Sequence, residues 1–112
     1  FGGGPLACRV ALEFLSLLDD LLPNIRQICA QLRAGLDEIS RRRPIVTGIR
    51  SSGLMLGIQL SRPGNGFVIR ALERGLLLNC THDTVLRLLP PYILTSDQAA
   101  QLLDILDDVL SV

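Results

Sequence analysis

Residues 6–18 read Leu-Ala-Cys-Arg-Val-Ala-Leu-Glu-Phe-Leu-Ser-Leu-Leu, and Arg9, Glu13 and Ser16 are the only polar side chains among them. Spaced by four and three, these form one narrow stripe of a helix whose remaining surface is aliphatic, aromatic or thiol. A helix that is apolar nearly all round has to be covered nearly all round. The whole chain has 112 residues, enough for a single domain (1–112) and too few to wrap one helix on every side. The pattern therefore predicts a second surface, from another domain or subunit, against the outer side of this helix. For the chain alone it predicts a homodimer or larger self-associated species joined through residues 2–18.

The start of that helix is well marked. Gly2, Gly3 and Gly4 lead into Pro5, and proline suits a first helical turn because its missing N–H has no intrahelical partner there. A second helix is expected from Pro23, with Ile25, Ile28, Cys29, Leu32, Leu36 and Ile39 on one face. Arg41, Arg42 and Arg43 close it as a solvated basic end, and Pro44 stops it.

Residues 45–50 and 54–60 are β-prone and flank the turn-forming Ser51-Ser52-Gly53, which predicts an antiparallel pair. A loop at 62–66 precedes a short helix at 67–74 ended by Gly75. Strands follow at 76–80 and 85–89, the latter ended by Pro90 and Pro91. The last helix carries a capping box, Thr95 with Gln98, followed by Ala99, Leu102, Leu103, Leu106, Val109 and Leu110 on one face. Helix, strands, helix gives an α+β layer, a small antiparallel sheet covered by helices on one face.

Composition narrows the chemistry. Eleven basic residues balance eleven acidic ones, so no net field draws the chain to nucleic acid or to an acidic membrane surface. Acidic and hydroxyl side chains interrupt the apolar run 10–22, which excludes a spanning helix. Every basic residue is Arg and there is no Lys, so this chain supplies no Schiff-base or phosphate-loop lysine and no catalytic residue of its own is expected. Cys8, Cys29 and Cys80 are odd in number and far apart, a poor disulfide or zinc framework that fits a reducing, cytoplasmic setting. Cys8 and Cys29 read as core residues on apolar helix faces, His82 as a loop residue, and no metal is expected.

Arg87 is the most informative polar residue. It stands inside Val85-Leu86-Arg87-Leu88-Leu89, where alternation places it on one face with Val85 and Leu89. One reading is a planar fork for the carboxylate of a small acid; the other is a structural salt bridge to a helix carboxylate such as Asp104 or Glu73. The glycine run offers a second, weaker feature, since backbone N–H groups of Gly2 and Gly3 ahead of a helix can approach an anion. Taken this far, the residues also fit a self-contained interaction module that binds a small acid without chemistry.

Four ordered blocks separate these possibilities. Phe1-Gly2-Gly3-Gly4-Pro5-Leu6-Ala7-Cys8, Arg50-Ser51-Ser52-Gly53-Leu54-Met55-Leu56-Gly57-Ile58, Glu73-Arg74-Gly75-Leu76-Leu77-Leu78-Asn79 and Val85-Leu86-Arg87-Leu88-Leu89-Pro90-Pro91 together resemble the C-terminal part of class III pyridoxal-phosphate aminotransferases, over the whole chain. The likeness is greatest to acetylornithine-type members, with ornithine, succinylornithine and 4-aminobutyrate types sharing parts of it. The resemblance implies the small C-terminal domain of a homodimeric fold-type I enzyme, whose large domain, absent here, binds pyridoxal 5'-phosphate through a lysine upstream of Phe1. It implies that Arg87 binds the substrate α-carboxylate in both half-reactions, and that Gly2 and Gly3 lie near the partner subunit's cofactor phosphate. The implied reaction moves the distal amino group of N-acetylornithine to 2-oxoglutarate within arginine biosynthesis, and the isolated chain is expected to be inactive. Gly4 stands where the family often has Asn, so no side-chain contact is carried over there.

Overall fold

The computed structural model describes residues 2–111; Phe1, the first residue of the glycine block, lies outside them. The chain forms α1 (Pro5–Arg42), β1 (Val46–Ser52), β2 (Met55–Leu60), α2 (Asn65–Glu73), β3 (Asn79–Thr81), β4 (Val85–Leu88) and α3 (Ser96–Val109). The strands make one antiparallel sheet in the order β1-β2-β4-β3. Its inner face presents Leu56, Ile58, Leu60, Leu86 and Leu88, all buried, to Ile28, Leu32, Leu36 and Ile39 of α1, Phe67 and Ala71 of α2, and Leu102 and Leu106 of α3. No helix among the described residues is long and apolar enough to cross a membrane.

Where the sequence predicts one helix over residues 6–18 and a second from Pro23, the structure has one helix of 38 residues running through both. An internal proline removes a backbone hydrogen bond and crowds the preceding turn, at a cost of about 3 kcal/mol. Contacts from both sides of Pro23 converge on one loop and hold the helix together. Before it, Phe14 stacks on Tyr92 with ring centroids 5.7 Å apart. After it, Asn24 Nδ2 donates to the carbonyls of Tyr92 and Leu94 at 3.0 and 3.1 Å.

The two halves of α1 live in different environments. All four of its buried residues lie beyond Pro23, whereas Leu6, Val10, Leu12, Leu15 and Leu17 are more than half exposed. Cys8 is exposed rather than in the core, because this half of the helix stands clear of the sheet; Cys29, on the other half, is partly buried against the core. At Gly35 the helix passes so close to α3 that a Cβ there would collide with the Leu103 side chain. The basic end is not simply solvated: Arg43 and Arg42 both pair with Asp107 of α3, at 2.8 and 3.5 Å.

The capping box of α3 forms as expected, with Thr95 and Gln98 satisfying each other's backbone N–H. At its other end α3 has no basic residue in its last turn. Arg70 of α2 meets that end instead, donating to the Val109 carbonyl at 2.5 Å, while Arg74 pairs with Asp108. The strand predicted from residue 76 begins only at Asn79. Gly75, at φ +80°, turns the chain left-handed after α2, and the N–H groups of Gly75 and Leu76 reach back to the carbonyls of Leu72 and Ala71. The Leu76 N–H is therefore used by the helix cap and cannot join a strand ladder.

Candidate functional site

Among the described residues the helices pack on the inner face of the sheet, and Arg50, Met55, Asn79 and Arg87 are exposed on the outer one. In its middle, Arg50 of β1 pairs with Gly57 of β2, Gly57 with Arg87 of β4, and Arg87 with Asn79 of β3. Directly opposite residues share a face, so these four make one row across the sheet. Arg50, Arg87 and Asn79 are all exposed.

Arg87 donates its Nε–H to Asn79 Oδ1 at 3.3 Å. That contact orients the guanidinium and leaves both terminal NH2 groups free for the two oxygens of a carboxylate. Neither acid considered as a structural partner reaches it, and among the described residues Arg87 has no ion pair. Asp104 instead lines a cleft between α1 and α3, and Glu73 sits on α2. No strand of the sheet contains an Asp or Glu. Beside the guanidinium is an open hollow of about 260 Å³, lined by Leu77, Leu78, Asn79, Arg87 and Leu89. The arrangement can grip a small carboxylic acid and give its carbon chain an apolar rest.

Val85 and Leu89, expected on the face of Arg87, differ sharply: Val85 is 8% exposed and Leu89 70%. Arg87 is thus less enclosed by apolar neighbours than the sequence suggests. Asn79 is the member that sequence reasoning missed. It lies in one of the four blocks, but only the β3–β4 register shows that it faces Arg87.

Gly2 and Gly3 lie apart from this row, at the protruding end of α1. Their φ angles, +72° and +63°, fall where side chains are rarely tolerated, and both are open to solvent. His82 and Asp83 form the β3–β4 turn with φ of +49° and +57°, which places His82 in a loop.

Comparison with known proteins adds three findings. The family model described as "Aminotransferase class-III" matches residues 1–110. Among curated relatives, acetylornithine aminotransferase 1 of Bordetella pertussis is 44% identical over 108 residues, covering 95% of this chain and 28% of that protein. The acetylornithine aminotransferase of Aquifex aeolicus is 36% identical over 110 residues, covering 98% and 28%. Among solved structures, acetylornithine aminotransferase from Elizabethkingia anophelis superposes with a TM-score of 0.88 at 26% identity, over 98% of this chain and 30% of that one. Ornithine aminotransferase from Toxoplasma gondii, whose active site holds PLP at partial occupancy, gives 0.87 at 29%, over 98% and 28%. The chain spans less than a third of the length of each of these relatives.

Proposed function

Because the chain belongs to the class III aminotransferase family, we propose that it is the small C-terminal domain of a homodimeric, pyridoxal 5'-phosphate-dependent enzyme that transfers the distal amino group of N-acetylornithine to 2-oxoglutarate. The products would be N-acetylglutamate semialdehyde and glutamate, a step in the cytoplasmic making of arginine. The names of the curated relatives above support acetylornithine as the donor.

The observation that carries the proposal is Arg87, an exposed guanidinium oriented by Asn79 and without a carboxylate partner among the described residues. A fork held this way recognises a planar carboxylate and fixes the reactant's position, which lowers the barrier by prior ordering. The cofactor, when bound, supplies the electron sink. The residues present do not make a place for it. With no lysine in the sequence there is no side-chain amine to attach it, and Gly2 and Gly3 offer backbone N–H groups only. The lysine and most phosphate contacts therefore belong to other parts of the parent enzyme, and the chain alone is inactive.

The test is Arg87→Ala in the parent enzyme. Loss of a charged hydrogen-bonded pair costs about 2–5 kcal/mol, so kcat/KM for both N-acetylornithine and 2-oxoglutarate should fall about 30-fold to several thousand-fold, with the cofactor's absorbance unchanged. Arg87→Lys should recover little, since an ammonium has no fork. Wild-type kinetics with both substrates would return Arg87 to a structural role.

A further inference from the structure

The loop that joins β4 to α3, residues 89–95, has little packing of its own over its first part. Leu89, Pro91, Tyr92 and Ile93 are exposed, and Pro90 and Pro91 carry no N–H. Among the described residues the one backbone hydrogen bond within the loop runs from the Leu94 N–H to the Pro91 carbonyl. One flank is open as well: a hollow of about 360 Å³ lies between Leu18, Leu22 and Ile25 of α1, the turn at Gly53, and Leu89 and Tyr92. What fixes the loop is therefore α1. Phe14 steadies the ring of Tyr92, and Asn24 Nδ2 bridges the backbone carbonyls of Tyr92 and Leu94. Carbonyls only accept, so this clasp needs a donor.

Leu89 begins the loop and lines both open spaces, the hollow beside α1 and the one beside Arg87. It is a wall between them, and its place is set from the loop side. We propose that Asn24 is a positioning residue for the transamination: through the Tyr92 and Leu94 carbonyls it holds Leu89 where the carbon chain of an acid gripped by Arg87 comes to rest. This rests on the reading of Arg87 as a carboxylate ligand and gives a second element, α1, a part in the same site. Arg87 does not depend on the clasp, since its strand is laddered to β2 on one side and to β3 on the other. Loss of the clasp should therefore shift the wall and leave the fork in place.

Steady-state kinetics of the purified parent enzyme, with rates normalised to cofactor absorbance, test this. Asn24→Asp keeps the size of the side chain but sets an acceptor against two carbonyl oxygens. It should raise KM for N-acetylornithine and 2-oxoglutarate roughly 5- to 100-fold, the worth of two ordinary hydrogen bonds. With kcat within about twofold of wild type, that is the pattern of binding lost equally from ground and transition states. Asn24→Gln, which keeps the donor, should regain part of the loss. Leu89→Ala should raise KM likewise, and adding Asn24→Asp to it should cost little more, because both changes act on one wall. Wild-type KM in Asn24→Asp overturns the proposal, as does a loss confined to kcat, or effects of Asn24→Asp and Leu89→Ala that simply multiply. Should Asn24→Asp not fold, wild-type KM in Leu89→Ala overturns it alone. If Arg87→Ala keeps wild-type KM while Leu89→Ala does not, it is the carboxylate reading of Arg87 that fails.

Discussion

Gly35 is the point where α1 and α3 come closest, and replacing it with alanine sets two effects of known sign against each other. A methyl group there would collide with Leu103 Cδ1 and lie 2.8 Å from Cδ2 and 3.0 Å from Cγ, whereas ordinary contact begins near 3.4 Å. Rotation about the Cβ–Cγ bond leaves Cγ in place at 3.0 Å, so either the whole Leu103 side chain swings to another rotamer or the helices separate. Overpacking of this kind costs about 1–3 kcal/mol. Alanine is a better helix former than glycine by about 1 kcal/mol. Gly35→Ala should therefore destabilise the domain by about 1 kcal/mol, taking the middle of the overpacking range. In a Leu103→Ala background the crowding is gone and only propensity remains, so the same change should stabilise by up to about 1 kcal/mol. The coupling between the sites is then about 2 kcal/mol, well above the few tenths expected of independent positions. Urea unfolding followed by circular dichroism measures all four corners of this cycle. A Gly35→Ala effect of the same sign and size in both backgrounds would show that the helices do not meet as described.

Two further outcomes follow from the charge pairs and the exposed helix. The hydrogen bond from Arg43, aided by the charges of Arg42 and Arg43 and opposed by burial, holds the Asp107 carboxyl below its ordinary pKa. A depressed acid stabilises above its unfolded pKa and ceases to do so as pH falls through the folded value; the stability advantage of wild type over Asp107→Asn should therefore be steady near neutrality and shrink below about pH 4, and an advantage that does not vary with pH would refute the pairing. The 112-residue chain alone should self-associate through the exposed half of α1, since covering a few hundred Å² at about 25 cal/mol per Å² is worth several kcal/mol before association costs; sedimentation across a concentration series should show a dimer or larger species, and a monomer up to hundreds of micromolar would contradict this.

Features set by residues near one another in sequence were legible in advance. The capping box of α3, the Gly75 stop of α2 and the turn at Gly53 each depend on a few consecutive residues, and each appears where the local chemistry puts it. Pro23 is misleading because its local cost is offset by Asn24 and Phe14 binding a loop 68 to 78 residues further along the chain, which no local pattern encodes. Cys8 reads as a core residue because its helix face is apolar, and apolarity alone does not say whether a surface of this chain reaches it; that half of the helix is exposed. At the candidate site, the strand pattern singles out Arg87 and leaves its role open between a carboxylate fork and a structural salt bridge. The same pattern does not reveal its partner Asn79 or its row-mate Arg50, because both depend on register between strands, and register is set by the hydrophobic pattern of the whole sheet.

The strand order β1-β2-β4-β3 also dictates when this surface comes into being. β1–β2 and β3–β4 are each joined by a short turn and can pair early, as hairpins do in microseconds. The central β2–β4 ladder must instead close a loop containing α2, a non-local step that is slower to nucleate. The Asn79–Arg87 contact lies within one hairpin, whereas Arg50 and Arg87 become neighbours only after the two hairpins have zipped together. During refolding, a probe pair on Asn79 and Arg87 would report local hairpin formation, and one on Arg50 and Arg87 the final docking of the sheet.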